Sequence, residues 1–180
     1  IPFGQLMGEI SYVAQDNFLF DKSIRENIHM GNPDASDEEV EAAAKAAGCH
    51  DFIMQLEQGY DTMAGDAGDR LSGGERQRIT IARAMLKQAS VIILDEATAY
   101  ADPENEALIQ QAISKLVAGK SLIVVAHRLN TIRNADQILV VANGEIVGRG
   151  IQEELLQSCP LYRKMWQDYT GSTEGGAEDV

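Results

Sequence analysis

The stretch at residues 71–99, LSGGERQRITIARAMLKQASVIILDEATA, constrains this chain more than any other. Ser72 followed by Glu75 has the spacing of a capping box, so the sequence predicts a helix that begins at two glycines. The first N–H groups of such a helix have no partner inside it and carry partial positive charge. The sequence therefore predicts a helix N-terminus that an anion can approach closely.

A short apolar run, VIIL at residues 91–94, follows in the same stretch and predicts a fully buried strand. Asp95 and Glu96 come directly after it, at the carboxyl end where open α/β sheets bind ligands. Nucleotide hydrolysis requires one carboxylate that can hold Mg²⁺ beside another that can polarise water. The pair is therefore a candidate hydrolytic site.

LSGGERQR followed closely by VIILDEATA resembles the signature motif and Walker B strand of ABC-type ATPases, the nucleotide-binding domains of ABC transporters. The alternative, a capped surface helix before a core strand with two chance acids, does not account for this order and spacing. The resemblance implies an α/β fold, a partial RecA-like P-loop NTPase core with a mostly parallel sheet and flanking helices, plus an α-helical signature subdomain. The implied divisions are the core up to the Q-loop glutamine (residues 1–15), the helical subdomain with the signature (16–88), the remaining core (89–170) and a disordered tail (171–180).

Composition excludes several other classes of protein. The 180 residues can form one core, and the net charge of −13 argues against a nucleic-acid or anionic-membrane surface. The sequence contains no apolar run near the roughly 18 residues that a spanning helix needs. Cys49 and Cys159 lie far apart, which favours two reduced structural thiols in a cytosolic protein.

Two polar residues elsewhere follow predicted strands. Residues 10–28, ISYVAQDNFLFDKSIRENI, are similar to the Q-loop region of exporter-type ABC ATPases, which implies that Gln15 senses Mg²⁺ or the attacking water. His127 follows the strand predicted at residues 122–126 and matches the switch histidine that contacts the γ-phosphate. Residue type alone would suggest a polar strand end and a structural histidine, so the context carries both assignments.

Two loops resemble loops of this family, but each differs from the family's usual sequence at one residue. The acidic, glycine-rich loop at residues 60–70 resembles the exporter loop that touches the coupling helices, with Asp66 where the family usually has Glu. By itself this loop could equally be a solvated connector. The sequence AYADP at residues 99–103 matches the D-loop at Asp102, but Tyr100 stands where the family usually has the smaller Ser.

Local patterns predict the remaining elements. Ser36, Glu39 and Gly48 bound a helix at residues 34–47, a short helix follows at 52–56, and an Asn-Gly turn predicts a hairpin at 137–147. A helix beginning at Pro103 is expected to bury Leu108, Ile109, Ala112, Ile113 and Leu116. A single helix at residues 153–169 is expected to bury Leu155, Leu156, Tyr162, Met165 and Trp166.

The sequence SKLVAGKS at residues 114–121 nearly matches the phosphate loop GxxxxGKS/T. A helix is predicted before it and a strand after it, the reverse of what a phosphate loop requires, so we reject it. In the family, the phosphate loop (Walker A) and the adenine-stacking aromatic precede the glutamine strand. We therefore expect an N-terminally truncated chain that is inactive in isolation and less stable than the complete domain, because its sheet would keep an unpaired edge.

The resemblance implies ATP and Mg²⁺ as cofactors and gives the candidate residues distinct roles. The implied catalytic residues are Glu96 and His127. ATP contacts are assigned to Ser72, Gly73, Gly74, Glu75 and Gln15, metal contacts to Asp95 and Gln15, and the dimer interface to Asp102 and Leu71.

The implied function is ATP hydrolysis coupled to transmembrane transport, with export as the favoured direction. The expected partners are a second nucleotide-binding domain, identical or different, and the transmembrane domains at the cytoplasmic face of the cell membrane. One alternative is a non-hydrolysing module that only completes a partner's ATP site. Another, a DNA-repair or chromosome-organising ATPase, would insert a long coiled coil, and no heptad run occurs between Gln15 and Leu71.

Overall fold

The computed structural model of the chain describes residues 1–95, 103–126 and 129–174. Two compact units form, Ile1–Val125 and Ala126–Val180. Glu96, Asp102 and His127, three of the predicted site residues, lie outside the described residues. The finer division into core, helical subdomain and tail stays a prediction.

A three-stranded parallel sheet lies in the first unit, in the order β1 (Ile10–Val13), β2 (Val91–Asp95), β3 (Ser121–Val125). This confirms the predicted α/β class. The central strand β2 buries Ile92 and Leu94. The apolar run before His127 also predicts a buried strand, and this is wrong, since β3 exposes Leu122, Ile123 and Val125. Within the described residues β3 pairs on one side only, which leaves its side chains less covered.

The α-helices described in this unit are α1 (Phe3–Glu9), α2 (Ile24–His29), α3 (Asp37–Ala46), α4 (His50–Gln55), α5 (Gly73–Lys87) and α6 (Pro103–Val117). The capping boxes predicted at Ser36 and Ser72 are both present. Sequence analysis missed α1, and it missed α2 although Ser23 and Glu26 form the same capping box there.

Helix α5 supplies much of the core, with Ile79, Ile81 and Ala82 fully buried. Each fully buried isoleucine side chain contributes about 1.5–3 kcal/mol. On α6, Ile109 and the predicted residues after it are buried, but Leu108 is 38% exposed. That part of the prediction is wrong because the buried face follows the spacing of Ile109, Ala112, Ile113 and Leu116, and Leu108 lies about 100° away.

The segment at residues 114–121, rejected above as a phosphate loop, has a helix before it and a strand after it, as predicted. Helix α6 ends at Val117 and β3 begins at Ser121, so a helix enters this segment and a strand leaves it. The loop between them therefore does not lie before a helix N-terminus.

The second unit contains the hairpin β4 (Ile138–Ala142) and β5 (Glu145–Gly150), followed by α7 (Gln152–Ser158) and α8 (Pro160–Glu174). Positive φ angles at Asn143 (51°) and Gly144 (81°) confirm the predicted turn, although β5 continues three residues further than predicted. Among residues 1–95, 103–126 and 129–174, no helix combines the length and hydropathy needed to cross a bilayer.

The single helix predicted at residues 153–169 is wrong. Pro160 begins a new helix, and Cys159 before it adopts an extended conformation, as residues preceding proline do. Leu155 and Tyr162 are buried as predicted, but Met165 is 43% exposed. Helix α8 also continues to Glu174, into the segment predicted to be a tail.

The buried thiol of Cys49 should lower the stability of the folded chain at alkaline pH. Burial raises the pKa of its thiol from 9.0 to about 12, so above pH 9 the unfolded chain ionises while the folded chain does not. Stability is then complete below pH 9 and should fall by about 1 kcal/mol between pH 9 and 10. Urea midpoints across this range check the slope. Cys49→Ala, which has no thiol, should show a shallower slope, and equal slopes would contradict the prediction.

Candidate functional site

The carboxyl ends of the three strands define one edge of the sheet. Gln15 follows β1 by two residues, Asp95 is the last residue of β2, and Asp95 pairs in register with Val125 at the end of β3. Because the strands are parallel, the segments leaving them begin at the same edge. The structure thus places the segment carrying Gln15 and the residue Asp95 at this edge, and the chain that leads to His127 starts there.

Tyr12 joins two of these strands through its side chain. Its hydroxyl donates a hydrogen bond of 2.7 Å to Oδ2 of Asp95. That bond raises the pKa of Tyr12, with smaller contributions from desolvation and from the charges of Asp95 and Asp16. Sequence analysis missed this partner, which becomes visible only when β1 and β2 are paired.

Asp95 suits a magnesium ion that is held largely by phosphate and water. A carboxylate that accepts one hydrogen bond retains further lone pairs for a metal-bound water. Mg²⁺ typically uses one or two carboxylates together with substrate phosphates and waters. The described part of the chain contains no group of three or more His, Cys, Asp or Glu placed to hold a metal. Asp95 therefore offers one carboxylate that fits Mg²⁺ brought with a nucleotide.

The N-terminus of α5 forms the second part of the site. Oγ of Ser72 accepts from the Glu75 N–H at 3.3 Å, and Oε2 of Glu75 accepts from the Ser72 N–H at 2.8 Å. Ser72 is exposed, and the N–H groups of Gly73 and Gly74 precede the first intrahelical bond. The cap therefore fixes the helix start while leaving Ser72 open to a ligand. It also gives Glu75 a structural role beside the predicted ATP contact.

Gly74 is required by close packing between α5 and α6. A Cβ at this position would lie 3.0 Å from Cγ of Asn105, near the start of α6. The guanidinium of Arg78 donates to Oδ1 of Asn105, which fixes that side chain against α5. Gly74 is itself buried and serves helix packing, which the sequence alone did not indicate, and its predicted ATP contact stays a prediction.

Leu71, predicted to lie at a dimer interface, is 7% exposed and belongs to the hydrophobic core. A partner would therefore meet its backbone rather than its side chain. The interface role of Leu71 and the ATP-contacting roles of Ser72 and Gly73 stay predictions.

Comparison with known proteins identifies the chain at the level of family. The profile of the family described as ABC transporter matches residues 3–99, which is more than half of the chain. The chain belongs to the ABC transporter family. The matched segment includes both α5 and β2, so it covers the signature and Walker B motifs proposed from the sequence.

Similar proteins include human ATP-binding cassette sub-family B member 6, which is 50% identical over 169 residues. The ATP-dependent lipid A-core flippase of Syntrophus aciditrophicus is 49% identical over 162 residues. These alignments cover 94% and 90% of this chain but only 20% and 27% of the two relatives. The solved structure of a bacterial Atm1-family ABC exporter with ATP bound is also similar, with a TM-score of 0.80 and 39% identity. The match covers 98% of this chain and 30% of the exporter chain.

The exporter-like loop at residues 60–70 is ordered by backbone pairing in this ABC transporter chain. Ala64 N–H donates to the Lys22 carbonyl at 2.9 Å, and Ile24 N–H donates to the Thr62 carbonyl at 3.0 Å. The loop is thereby joined to the segment that follows Gln15, which favours a structured element over a solvated connector. Its predicted contact with coupling helices stays a prediction.

Sequence analysis also missed a buried polar network between α5 and the segment after Gln15. Asn27 is fully buried, and its amide contacts the backbone of Phe20, Lys22 and Ser23. Arg83 of α5 donates to the carbonyl and the side-chain oxygen of Asn27 at 2.7 and 2.9 Å. The sequence offered only a weak signal, Arg83 between apolar residues of a helix, because an arginine is usually exposed and needs a partner only where it is buried.

Proposed function

We propose that this chain is the ATP-binding and ATP-hydrolysing part of an ABC transporter of the exporter type. The observation that carries the proposal is that one chain has both an exposed, capped helix N-terminus at Ser72 and a carboxylate, Asp95, at the end of a parallel strand. Both lie in the segment that matches the family. Named relatives that are a flippase and an exporter favour transport as the use of the hydrolysis.

In this proposal ATP binds between two nucleotide-binding domains. Ser72, Gly73 and Gly74 contact the γ-phosphate of a nucleotide held mainly by the second domain. The N–H groups at the start of α5 and the positive end of its dipole favour such an anion. The capping box fixes these donors before the nucleotide arrives, so little ordering is needed on binding.

Asp95 would hold Mg²⁺, and the hydrogen bond from Tyr12 orients its carboxylate. The bound ion would neutralise charge on the phosphates. Glu96 polarises the attacking water, Gln15 and His127 respond to the γ-phosphate, and Asp102 links the two sites. Catalysis then consists mostly of positioning and charge stabilisation.

The proposed location is the cytoplasmic face of the membrane, against the transmembrane domains. Phe18, Phe20 and Met63 supply exposed apolar surface on the ordered segments beyond Gln15. The Phe18 and Phe20 rings lie 5.1 Å apart, and contiguous exposed apolar surface is a mark of a protein contact. They therefore support coupling through this surface, with the second nucleotide-binding domain as the other partner.

Two substitutions of Ser72 test the phosphate contact in the full-length protein. Ser72→Ala removes the cap and should cost about 1 kcal/mol of stability. Ser72→Asp keeps a good cap, so stability should be preserved, but its negative charge would oppose a phosphate. We expect ATP turnover to fall at least tenfold in Ser72→Asp, measured by phosphate release beside the melting temperature. Normal turnover in Ser72→Asp would contradict the proposed phosphate contact.

A further inference from the structure

Asn17 closes the turn that carries Gln15. Its amide Nδ2 donates to the Gln15 carbonyl at 3.0 Å. Its backbone is left-handed, with φ of 47°, and only 3% of the residue is exposed. Asparagine is among the few residues other than glycine that tolerate this conformation. The side chain therefore bonds the turn from within rather than facing solvent.

Helix α5 contacts the other end of the Asn17 amide. The Thr80 hydroxyl lies 3.2 Å from Oδ1 of Asn17 and 2.8 Å from the Gln77 carbonyl, and its single proton is shared between these acceptors. Thr80 is buried and lies eight residues after Ser72, about 12 Å along the helix. The helix that begins at the signature is thus connected through Asn17 to the backbone of Gln15.

Arg83 lies three residues after Thr80 on α5 and binds the chain that follows the Gln15 turn. Its Nη1 lies 3.4 Å from the Phe18 carbonyl, and its Nε donates to the Asn27 carbonyl at 2.7 Å. Burial lowers the pKa of Arg83 to about 10, so the guanidinium stays charged at neutral pH. Charge-assisted bonds of this kind are stronger than neutral ones. The segment leaving the Gln15 turn is therefore firmly attached to α5.

We propose that Asn17 is a positioning residue that fixes the Gln15 turn to the signature helix. The inference rests on the proposed function in so far as Gln15 is taken to respond to nucleotide. Asn17 does not itself contact the nucleotide in this account.

Amide hydrogen exchange of the full-length protein without nucleotide tests the attachment. In Asn17→Gly the backbone can keep its positive φ while the side chain is lost, and Thr80→Val removes the hydroxyl at nearly constant volume. Both should speed exchange in a peptide covering residues 13–18 by about three- to tenfold, the worth of one net hydrogen bond. Thr80→Ser, which keeps the hydroxyl, should exchange as the parent does. A peptide covering α7 lies in the second compact unit and is the control, since its exchange should stay as in the parent.

A double-mutant cycle tests whether Asn17 acts through Gln15. Asn17→Gly should lower ATP turnover several-fold in the parent and have little further effect beside Gln15→Ala. Displacement of a fluorescent ATP analogue, with and without Mg²⁺, gives the affinities of the same four proteins and should show the same non-additivity.

The possible outcomes separate the two proposals. Unchanged exchange at residues 13–18 in Asn17→Gly, or equal losses of turnover in both backgrounds, would overturn the role of Asn17. If Gln15→Ala alone leaves turnover and affinity unchanged, the proposed function of Gln15 fails. The exchange comparison would then still decide whether Asn17 attaches the turn to α5.

Discussion

Glu96→Gln is expected to abolish ATP turnover in the full-length protein while leaving ATP binding intact. Gln has nearly the same size and can still donate and accept hydrogen bonds, but it cannot take a proton from water. A positioned general base typically supplies about 10²–10⁴-fold in rate, so turnover should fall by at least about 100-fold. Phosphate release measures the rate, and displacement of a fluorescent ATP analogue measures binding.

Asp95→Asn is the matched control, since it removes the neighbouring carboxylate at the same edge of the sheet. It should weaken Mg²⁺-dependent binding of ATP, whereas Glu96→Gln should not, because only Asp95 is assigned to the metal. Turnover that persists in Glu96→Gln would refute its role as the base. A parent protein that binds ATP but shows no turnover would favour the non-hydrolysing module instead.

Signals that are local in sequence predicted the elements on which the candidate site depends. The capping box at Ser72 needs only residues three apart, and the strand before Asp95 needs only a run of apolar residues. The order of motifs then brought Gln15 and His127 into the same hypothesis, although each is an ordinary residue at a strand end. Helix starts and strand ends are thus predictable because short stretches of chain determine them.

Features that depend on packing between distant segments were not predictable. The bond from Tyr12 to Asp95 requires the register of β1 with β2, and the bond from Thr80 to Asn17 joins residues 63 apart. The exposure of β3 likewise depends on which strands pair with it, and not on its own apolar sequence. The break at Pro160 is different, because the proline was visible in the sequence and apolar periodicity was given too much weight.

Gly31→Ala should destabilise the chain strongly, because the turn that follows α2 packs directly against the backbone of α5 there. A Cβ at Gly31 would overlap the backbone carbonyl of Arg83 and lie 3.3 Å from the Ile28 carbonyl. A backbone oxygen inside α5 cannot turn aside as a side chain can, so the two helices must separate. Overpacking of this kind costs about 3 kcal/mol, and the melting temperature should fall by roughly 6–12 °C.

Gly8→Ala is the matched control for this prediction. Gly8 lies in α1, and a Cβ there meets nothing within 4 Å in the described structure. Alanine favours helix over glycine, so stability should stay within about 1 kcal/mol of the parent or rise slightly. Thermal and urea unfolding of both variants give the comparison. If the two alanines had equal effects, the close contact of Gly31 with the Arg83 carbonyl would be incorrect.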